Sequence, residues 1–157
     1  ILAAAWYYDS CFNEVICDGI HVHPEMVKFI HKIKGNKKMV GITDSLMAAG
    51  LPDGNYFIGS TPIYVKNHDC KIIGSDVRAG STLNAFDGFK NIKCFLNCSD
   101  LESSNIWSYN PAKLLNLDDK VGSIAINKSA DFLVLNKNYE LLETYINGKC
   151  VYKKESL

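Results

Sequence analysis

The chain has 157 residues, and its 17 basic and 17 acidic side chains give a formal net charge of zero. This balance argues against a protein that binds nucleic acids or anionic membranes by electrostatic attraction. Residues 1–8 are apolar but far too short to span a bilayer, and they lack the basic lead of a signal peptide. We therefore expect a cytoplasmic protein with no membrane and no nucleic-acid partner.

Six cysteines are spread along the chain without a Cys-x-x-Cys pair and without a histidine at zinc-ribbon spacing. A chain of this size, with 47% hydrophobic residues, can bury a core without disulfide cross-links. The cysteines are interpreted as reduced thiols of an intracellular protein, and Cys17, inside an apolar run, as a small core residue.

The first predicted elements are a strand, a helix and a second strand. Residues 15–17 form a short apolar run, after which Pro24 favours a helix start and Gly35 a helix end. Residues 39–42 form a mostly apolar run without alternation that ends in Thr43-Asp44, which is typical of a strand buried on both faces. This order predicts a right-handed parallel βαβ unit and hence an α/β fold.

Polar side chains follow both predicted strands. Asp44 ends the second strand, and in α/β barrels the carboxyl ends of the strands carry the catalytic groups, so Asp44 is a candidate general base or metal neighbour. An aspartate also caps helices and turns, and the pattern leaves both interpretations open. His21 and His23 share one face of an extended segment, but two possible ligands do not complete a metal site, and a structural imidazole is the alternative.

Three helices and a β-rich insertion are predicted after this unit. The insertion, at about residues 55–76, is a set of short β-like runs punctuated by turn residues. Residues 80–82 are predicted to cap a helix that runs to about residue 91. Two further helices are predicted over residues 99–108 and 110–117.

The tail after Gly122 has the pattern of antiparallel strands. Ile124 and Ile126 alternate with smaller residues, residues 132–135 form a buried run, and Asn147-Gly148 is a strong two-residue hairpin signal. Two parallel strands with open outer edges do not complete a sheet. The chain is therefore interpreted as the carboxyl-terminal part of a larger protein.

Three motifs, in this order and spacing, carry a resemblance to a known family. They are Asp18-Gly19-Ile20-His21, Thr43-Asp44 and Ala79-Gly80-Ser81-Thr82-Leu83. With them the chain resembles the N-acetylglucosamine-6-phosphate deacetylases of the amidohydrolase superfamily. The resemblance implies the carboxyl-terminal part of a metal-dependent (β/α)8 hydrolase barrel over residues 1–118. It also implies strands of a small β-sandwich domain over residues 119–157.

The resemblance also implies a reaction, the removal of acetate from N-acetylglucosamine 6-phosphate to give glucosamine 6-phosphate. Asp44 would be the catalytic acid/base, taking a proton from metal-bound water and returning it to the departing amine. His21 would contact the substrate. Ala79 and Gly80 match a loop that closes on the sugar, where glycine lets the backbone approach the ligand.

Other parts of the family's site are not found in this chain. In the family, a Glu and two His bind the metal, and an Arg from the partner subunit of a homodimer binds the phosphate; Arg78 is not identified with that arginine. We therefore expect zinc or iron bound by preceding segments, no metal ligand in this chain and no activity of the chain alone. The alternatives are another amidohydrolase, of the adenine deaminase or N-acyl-amino-acid hydrolase type, and a non-catalytic interaction fragment.

Overall fold

The computed structural model describes residues 2–155, which divide into two compact units, residues 2–107 and 108–155. The helices are α1 (Leu2–Tyr7), α2 (Pro24–Lys34), α3 (Ala85–Leu96), α4 (Asp100–Ser104) and α5 (Asn110–Leu114), with a π-helical turn at Asn105–Tyr109. The strands are β1 (Asn13–Ile16), β2 (Met39–Ile42), β3 (Gly54–Ile58), β4 (Thr61–Lys66), β5 (Asp69–Ile72), β6 (Phe132–Leu135), β7 (Leu141–Ile146) and β8 (Lys149–Lys153). The predicted domain boundary at residue 118 stays a prediction.

The predicted parallel βαβ unit is confirmed. β1 and β2 pair in parallel, from Asn13↔Met39 to Ile16↔Ile42, and α2 connects them. Pro24 begins α2, and the left-handed Gly35, with φ of 64°, ends it by donating its N–H to His31 O. The bounds of α2 therefore follow from local signals at its two ends, and the parallel pairing of the flanking strands gives the α/β class.

The core of the first unit lies between the βαβ strands and the helices. Its buried members are Val15, Cys17, Val27, Ile30, Met39, Ile92 and Ile106. Cys17 is 0% exposed, as predicted for a core residue, and burial raises the pKa of its thiol to about 12. The thiol is therefore protonated at neutral pH and serves as packing rather than as a nucleophile.

Trp107 fills a space that two glycines leave open. A Cβ built on Gly41 of β2 would lie 2.5 Å from Trp107 Cε2, and a Cβ built on Gly88 of α3 would overlap the same indole ring. The ring thus lies against bare backbone on both sides. Neither glycine has a positive φ, so backbone conformation does not explain the two glycines. They are required because a side chain would overlap the indole ring.

The predicted β-rich insertion is also confirmed. β3, β4 and β5 form an antiparallel three-stranded sheet in which β4 is central. The sheet has its own small core of Ala48, Ile63, Val65 and Cys70. Ala79 and Leu46 pack against that core from the adjoining loops, which links the insertion to the two segments that flank it.

The predicted start of the helix after Gly80 is wrong. α3 begins at Ala85, where the side chain of Asn84 accepts the N–H of Asp87, and it ends at Leu96 rather than residue 91. Ser81 and Thr82 do not cap it, because their hydroxyls donate to Thr43 O and His68 O instead. The left-handed Asn97, with φ of 48°, terminates the helix.

The helix predicted from Ser99 begins where expected but changes from an α-helix to a π-helical turn after Ser104. Ser99 and Glu102 form a reciprocal capping box at the start of α4. After Ser104 the backbone passes into the π-helical turn, and α5 ends at Leu114 rather than near residue 117. The predicted start signals are confirmed, and helical backbone reaches residue 108 as predicted, although as a π-helical turn; the end predicted near residue 117 is too late.

The second unit contains the sheet β6-β7-β8, and its predicted hairpin is confirmed. Asn147 and Gly148 have φ of 49° and 73°, the left-handed values that the turn between β7 and β8 requires. The strand predicted around Ile124 and Ile126 is wrong: both are exposed, 87% and 92%, and no strand within residues 2–155 pairs with that segment. Alternation alone does not make a strand without a neighbour.

None of the helices within residues 2–155 combines the length and the apolar character needed to cross a lipid bilayer.

Candidate active site

The turn after β1 holds His21 through a single carboxylate. Asp18 Oδ1 accepts the backbone N–H groups of Ile20 and His21, both at 2.9 Å. Asp18 Oδ2 lies 2.6 Å from His21 Nδ1. The two side chains are only 7% and 18% exposed. One carboxylate therefore shapes the turn and orients the ring.

Two residues of helix α3 contact this turn and hold it in place. Asn91 Nδ2 donates to Cys17 O at 2.9 Å. Gly19 has φ of 75°, and a Cβ at this position would lie 3.2 Å from Phe95 Cζ. The turn therefore requires glycine both for its backbone conformation and for its contact with α3.

Asp18 is ionised at neutral pH. Burial alone would raise the pKa of its carboxyl, but hydrogen bonds from the His21 side chain and from the backbone N–H groups of His21 and Ile20 lower it overall. The positive charge that His21 can carry acts in the same direction.

Asp18 should therefore contribute to stability in a pH-dependent way. Its pKa is lower in the folded chain than the unfolded value of about 3.9, so its contribution is present above that value and is lost as the pH falls through the folded pKa. We expect Asp18→Asn to lower the free energy of unfolding at about pH 7. At about pH 3 the free energies of unfolding of the variant and the unchanged chain should differ less. Urea unfolding measures both values. The control is Asp76→Asn at a fully exposed side chain, and a difference that grows in acid would contradict the assignment.

Asp44 lies at the carboxyl edge of the parallel strands. It follows the end of β2 by two residues, has a left-handed φ of 51°, and its side chain is exposed. Because β1 and β2 are parallel, Asp44 and His21 follow strands that end at the same edge. No hydrogen bond to the Asp44 carboxylate occurs within residues 2–155, so it acts there as neither a helix cap nor a turn cap.

The segment around Asp44 is joined to the segment around Ser81 by backbone and hydroxyl hydrogen bonds. Ser81 N donates to Asp44 O at 2.8 Å, and Leu46 N donates to Ser81 O at 2.9 Å. The hydroxyls of Ser81 and Ser45 donate to Thr43 O and Leu83 O. The two hydroxyl contacts each bridge residues that are 38 apart in the chain. They fix the backbone that carries Asp44.

Gly80 lies directly against this segment. It has φ of 64°, and a Cβ at this position would lie 2.7 Å from Leu46 Cδ2 and 3.0 Å from Asp44 O. Its neighbour Ala79 donates its N–H to Cys70 O at 3.1 Å, which ties the loop to the insertion. The structure therefore brings Gly80 next to Asp44 and anchors Ala79 beside them.

Asp69 of β5 and Arg78 of the loop that follows form a charged pair that is influenced by the charges of Asp18 and His21. Arg78 Nε and Nη2 donate to the two carboxylate oxygens of Asp69, at 2.8 and 3.2 Å. This pairing lowers the pKa of Asp69, and the charge of His21 adds to the effect. It also raises the pKa of Arg78, to which the negative charge of Asp18 contributes. The charges of the two pairs therefore influence one another.

The strand pattern and the family resemblance predict Asp44, His21, Ala79 and Gly80 but not the residues that position them. Asp18 was visible as the start of an Asp-Gly turn three residues before His21, and that spacing is typical of a carboxylate that accepts local N–H groups. The Asp69–Arg78 pair and the two serine hydroxyls left no comparable local signal. His68 is exposed in its turn, and His23 lies outside the site, since its Nδ1 accepts the N–H of Glu25 at 3.2 Å.

The described residues do not by themselves fit a metal centre. Within residues 2–155 no group of three or more His, Cys, Asp or Glu side chains is arranged to hold an ion. Asp44 and His21 follow the carboxyl ends of β2 and β1, and each supplies one possible ligand, which is too few for a metal site.

The chain is similar to one enzyme family in sequence. The profile of the amidohydrolase family matches residues 9–151. N-acetylglucosamine-6-phosphate deacetylase from Bacillus subtilis is 34% identical over 97% of this chain and 38% of its own length. The protein of that name from Caenorhabditis elegans is 28% identical over 88% of this chain and 33% of its own length. The chain thus spans between one third and two fifths of these relatives.

Solved structures agree with the sequence comparison. The crystal structure of N-acetylglucosamine-6-phosphate deacetylase from Thermotoga maritima matches 98% of this chain with a TM-score of 0.91 and 36% identity, over 42% of its own length. A Mycobacterium smegmatis deacetylase was solved as an aspartate-to-alanine variant in complex with N-acetyl-D-glucosamine-6-phosphate. It matches with a TM-score of 0.89 and 25% identity, over 95% of this chain and 40% of its own.

Proposed function

This chain belongs to the amidohydrolase family, and from that membership we propose that it carries the acid/base residue of an enzyme that hydrolyses N-acetylglucosamine 6-phosphate to glucosamine 6-phosphate and acetate. In this proposal, residues 1–118 complete a (β/α)8 barrel and residues 119–157 supply strands of a small β-sandwich. The observation that carries the proposal is Asp44, exposed at the carboxyl end of a parallel strand in a chain whose bacterial and animal relatives are named for this reaction.

Asp44 is assigned the proton transfers. Its carboxylate accepts a proton from the water that attacks the amide carbonyl and returns that proton to the nitrogen as the carbon–nitrogen bond breaks. The backbone contacts to Ser81 and the close approach of Gly80 support this role, because they hold Asp44 in one position. His21 and the backbone of Ala79 and Gly80 are assigned to the sugar phosphate.

A divalent metal, zinc or iron, stays an expectation from the family. Since the described residues alone do not fit a metal centre, its ligands would belong to parts of the enzyme beyond these residues. A homodimer is likewise an expectation from the family. The chain by itself is accordingly expected to be inactive.

A substrate panel tests the proposed function. An enzyme that contains these residues as its carboxyl-terminal part is expected to release acetate from N-acetylglucosamine 6-phosphate and to leave adenine and N-acetyl amino acids unchanged. The control is the 157-residue chain with added zinc, for which we expect no turnover. Turnover of adenine or of an N-acyl amino acid alone would contradict the assigned substrate, and turnover by the isolated chain would contradict the assignment of the metal ligands to other segments.

A further inference from the structure

The contact between Asp18 and His21 determines which ring nitrogen carries the proton. Asp18 is ionised, and an ionised carboxylate can only accept hydrogen bonds. At 2.6 Å from Asp18 Oδ2, His21 Nδ1 must therefore be the donor. The neutral ring is then the Nδ1–H tautomer, and the lone pair lies on Nε2.

Nε2 is the nitrogen of His21 that a ligand can reach. No group of residues 2–155 forms a hydrogen bond with it, and the ring is 18% exposed. Rotation of the ring would lose the 2.6 Å contact, and the turn beneath it is held by the two N–H bonds to Asp18 Oδ1. The ring thus offers a hydrogen-bond acceptor in a fixed direction.

His23, only two residues away, has the opposite arrangement. Its Nδ1 accepts the backbone N–H of Glu25 at the start of α2, at 3.2 Å. A nitrogen that accepts a hydrogen bond carries no proton, so neutral His23 is the Nε2–H tautomer. The same short segment therefore contains one histidine of each tautomer, so His23 can serve as the reference for His21 in a measurement of ring protonation.

We propose that Asp18 is a positioning residue that fixes His21 as the Nδ1–H tautomer and presents Nε2 as an acceptor to a hydroxyl group of the ligand. The identity of that ligand as a sugar phosphate rests on the proposed function. The tautomer does not, since it follows from contacts within this chain. Failure of the enzyme assay and failure of the tautomer test are therefore distinguishable.

Nitrogen NMR of the histidine rings tests the proposal on the 157-residue chain. The measurement is made at a pH about two units above the usual imidazole pKa of about 6.5. We expect a protonated Nδ1 and an unprotonated Nε2 for His21, and the reverse for His23. His21 in the Nε2–H form, which an unrestrained imidazole prefers, would overturn the proposal.

Asp18→Asn provides an isosteric second test. Its carbonyl oxygen can keep the two backbone N–H bonds that Oδ1 accepts now, which turns the amide NH2 towards His21 Nδ1. The amide donates, so Nδ1 must accept and the ring proton moves to Nε2. We expect the His21 tautomer to invert while His23 is unchanged. A variant that folds and keeps His21 as Nδ1–H would contradict the assigned role, and if the variant does not fold, the spectrum of the unchanged chain decides.

Discussion

Replacing Gly88 with alanine is expected to destabilise the first unit by about 3 kcal/mol, although alanine is the better helix former by about 0.5–1 kcal/mol. The reason is Trp107, whose indole occupies the space where the new methyl group would lie. The helix cannot move away freely, because Ile92 of the same helix is fully buried in the core. Either the ring leaves its site or α3 shifts from the sheet.

A double-mutant cycle separates this clash from any other effect of the substitution. In a Trp107→Leu background the space beside Gly88 opens, and Gly88→Ala is expected to be neutral or slightly stabilising. Denaturant unfolding of the four proteins gives the coupling free energy between the two positions. Cys94→Ala, at an exposed position of the same helix, serves as the control. A Gly88→Ala cost that is the same with and without the tryptophan would contradict the packing account.

The largest effect on activity is expected at Asp44. Asp44→Asn keeps the shape of the side chain and removes its capacity to accept a proton, so the deacetylation rate of an enzyme containing this chain should fall by about 10²–10⁴-fold. The fold should be unaffected, because no protein group within residues 2–155 bonds to this carboxylate. The rate is measured as acetate release from N-acetylglucosamine 6-phosphate.

Asp76→Asn is the matched control for that substitution. It makes the same chemical change at a fully exposed side chain whose ion-pair contact to Lys71 is long, at 3.3 Å. We expect an unchanged rate. A loss of less than tenfold for Asp44→Asn, or an equal loss for both variants, would remove Asp44 from the catalytic role.

The elements that the sequence predicted well are those with local signals. Pro24 and Gly35 mark both ends of α2, and Asn147-Gly148 determines the hairpin between β7 and β8. Each signal acts through the backbone of its own residue or a near neighbour. No knowledge of the rest of the chain is needed to interpret it.

The errors arose where distant partners decide the structure. Ser81 has the chemistry of a helix cap, but its hydroxyl donates to Thr43 O, 38 residues earlier, so α3 starts at Ala85 instead. Ile124 and Ile126 alternate like a strand, yet no strand within residues 2–155 pairs with them. A pattern in one segment cannot show which partner another segment will provide.

In the candidate site, too, some features could be predicted from the sequence and others could not. Pattern alone left Asp44 open between a general base and a cap, and the roles of His21, Ala79 and Gly80 came from the family resemblance. The structure adds the contacts that position these residues. The Asp18 carboxylate contacts His21 Nδ1, and Ser81 N donates a hydrogen bond to Asp44 O. The hydrogen bonds of Ser81, one of which joins residues 38 apart, are set by tertiary packing, so no local pattern predicts them, whereas the Asp18 contact is local and follows from the Asp-Gly turn three residues before His21.

A crystal structure of the complete enzyme, carrying Asp44→Ala and soaked with N-acetylglucosamine 6-phosphate, tests the central claim most directly. We expect the acetamido group beside position 44, with His21 Nε2 and the backbone of Ala79 and Gly80 in contact with the sugar phosphate. A sugar phosphate bound away from the carboxyl ends of β1 and β2 would contradict this assignment of the site.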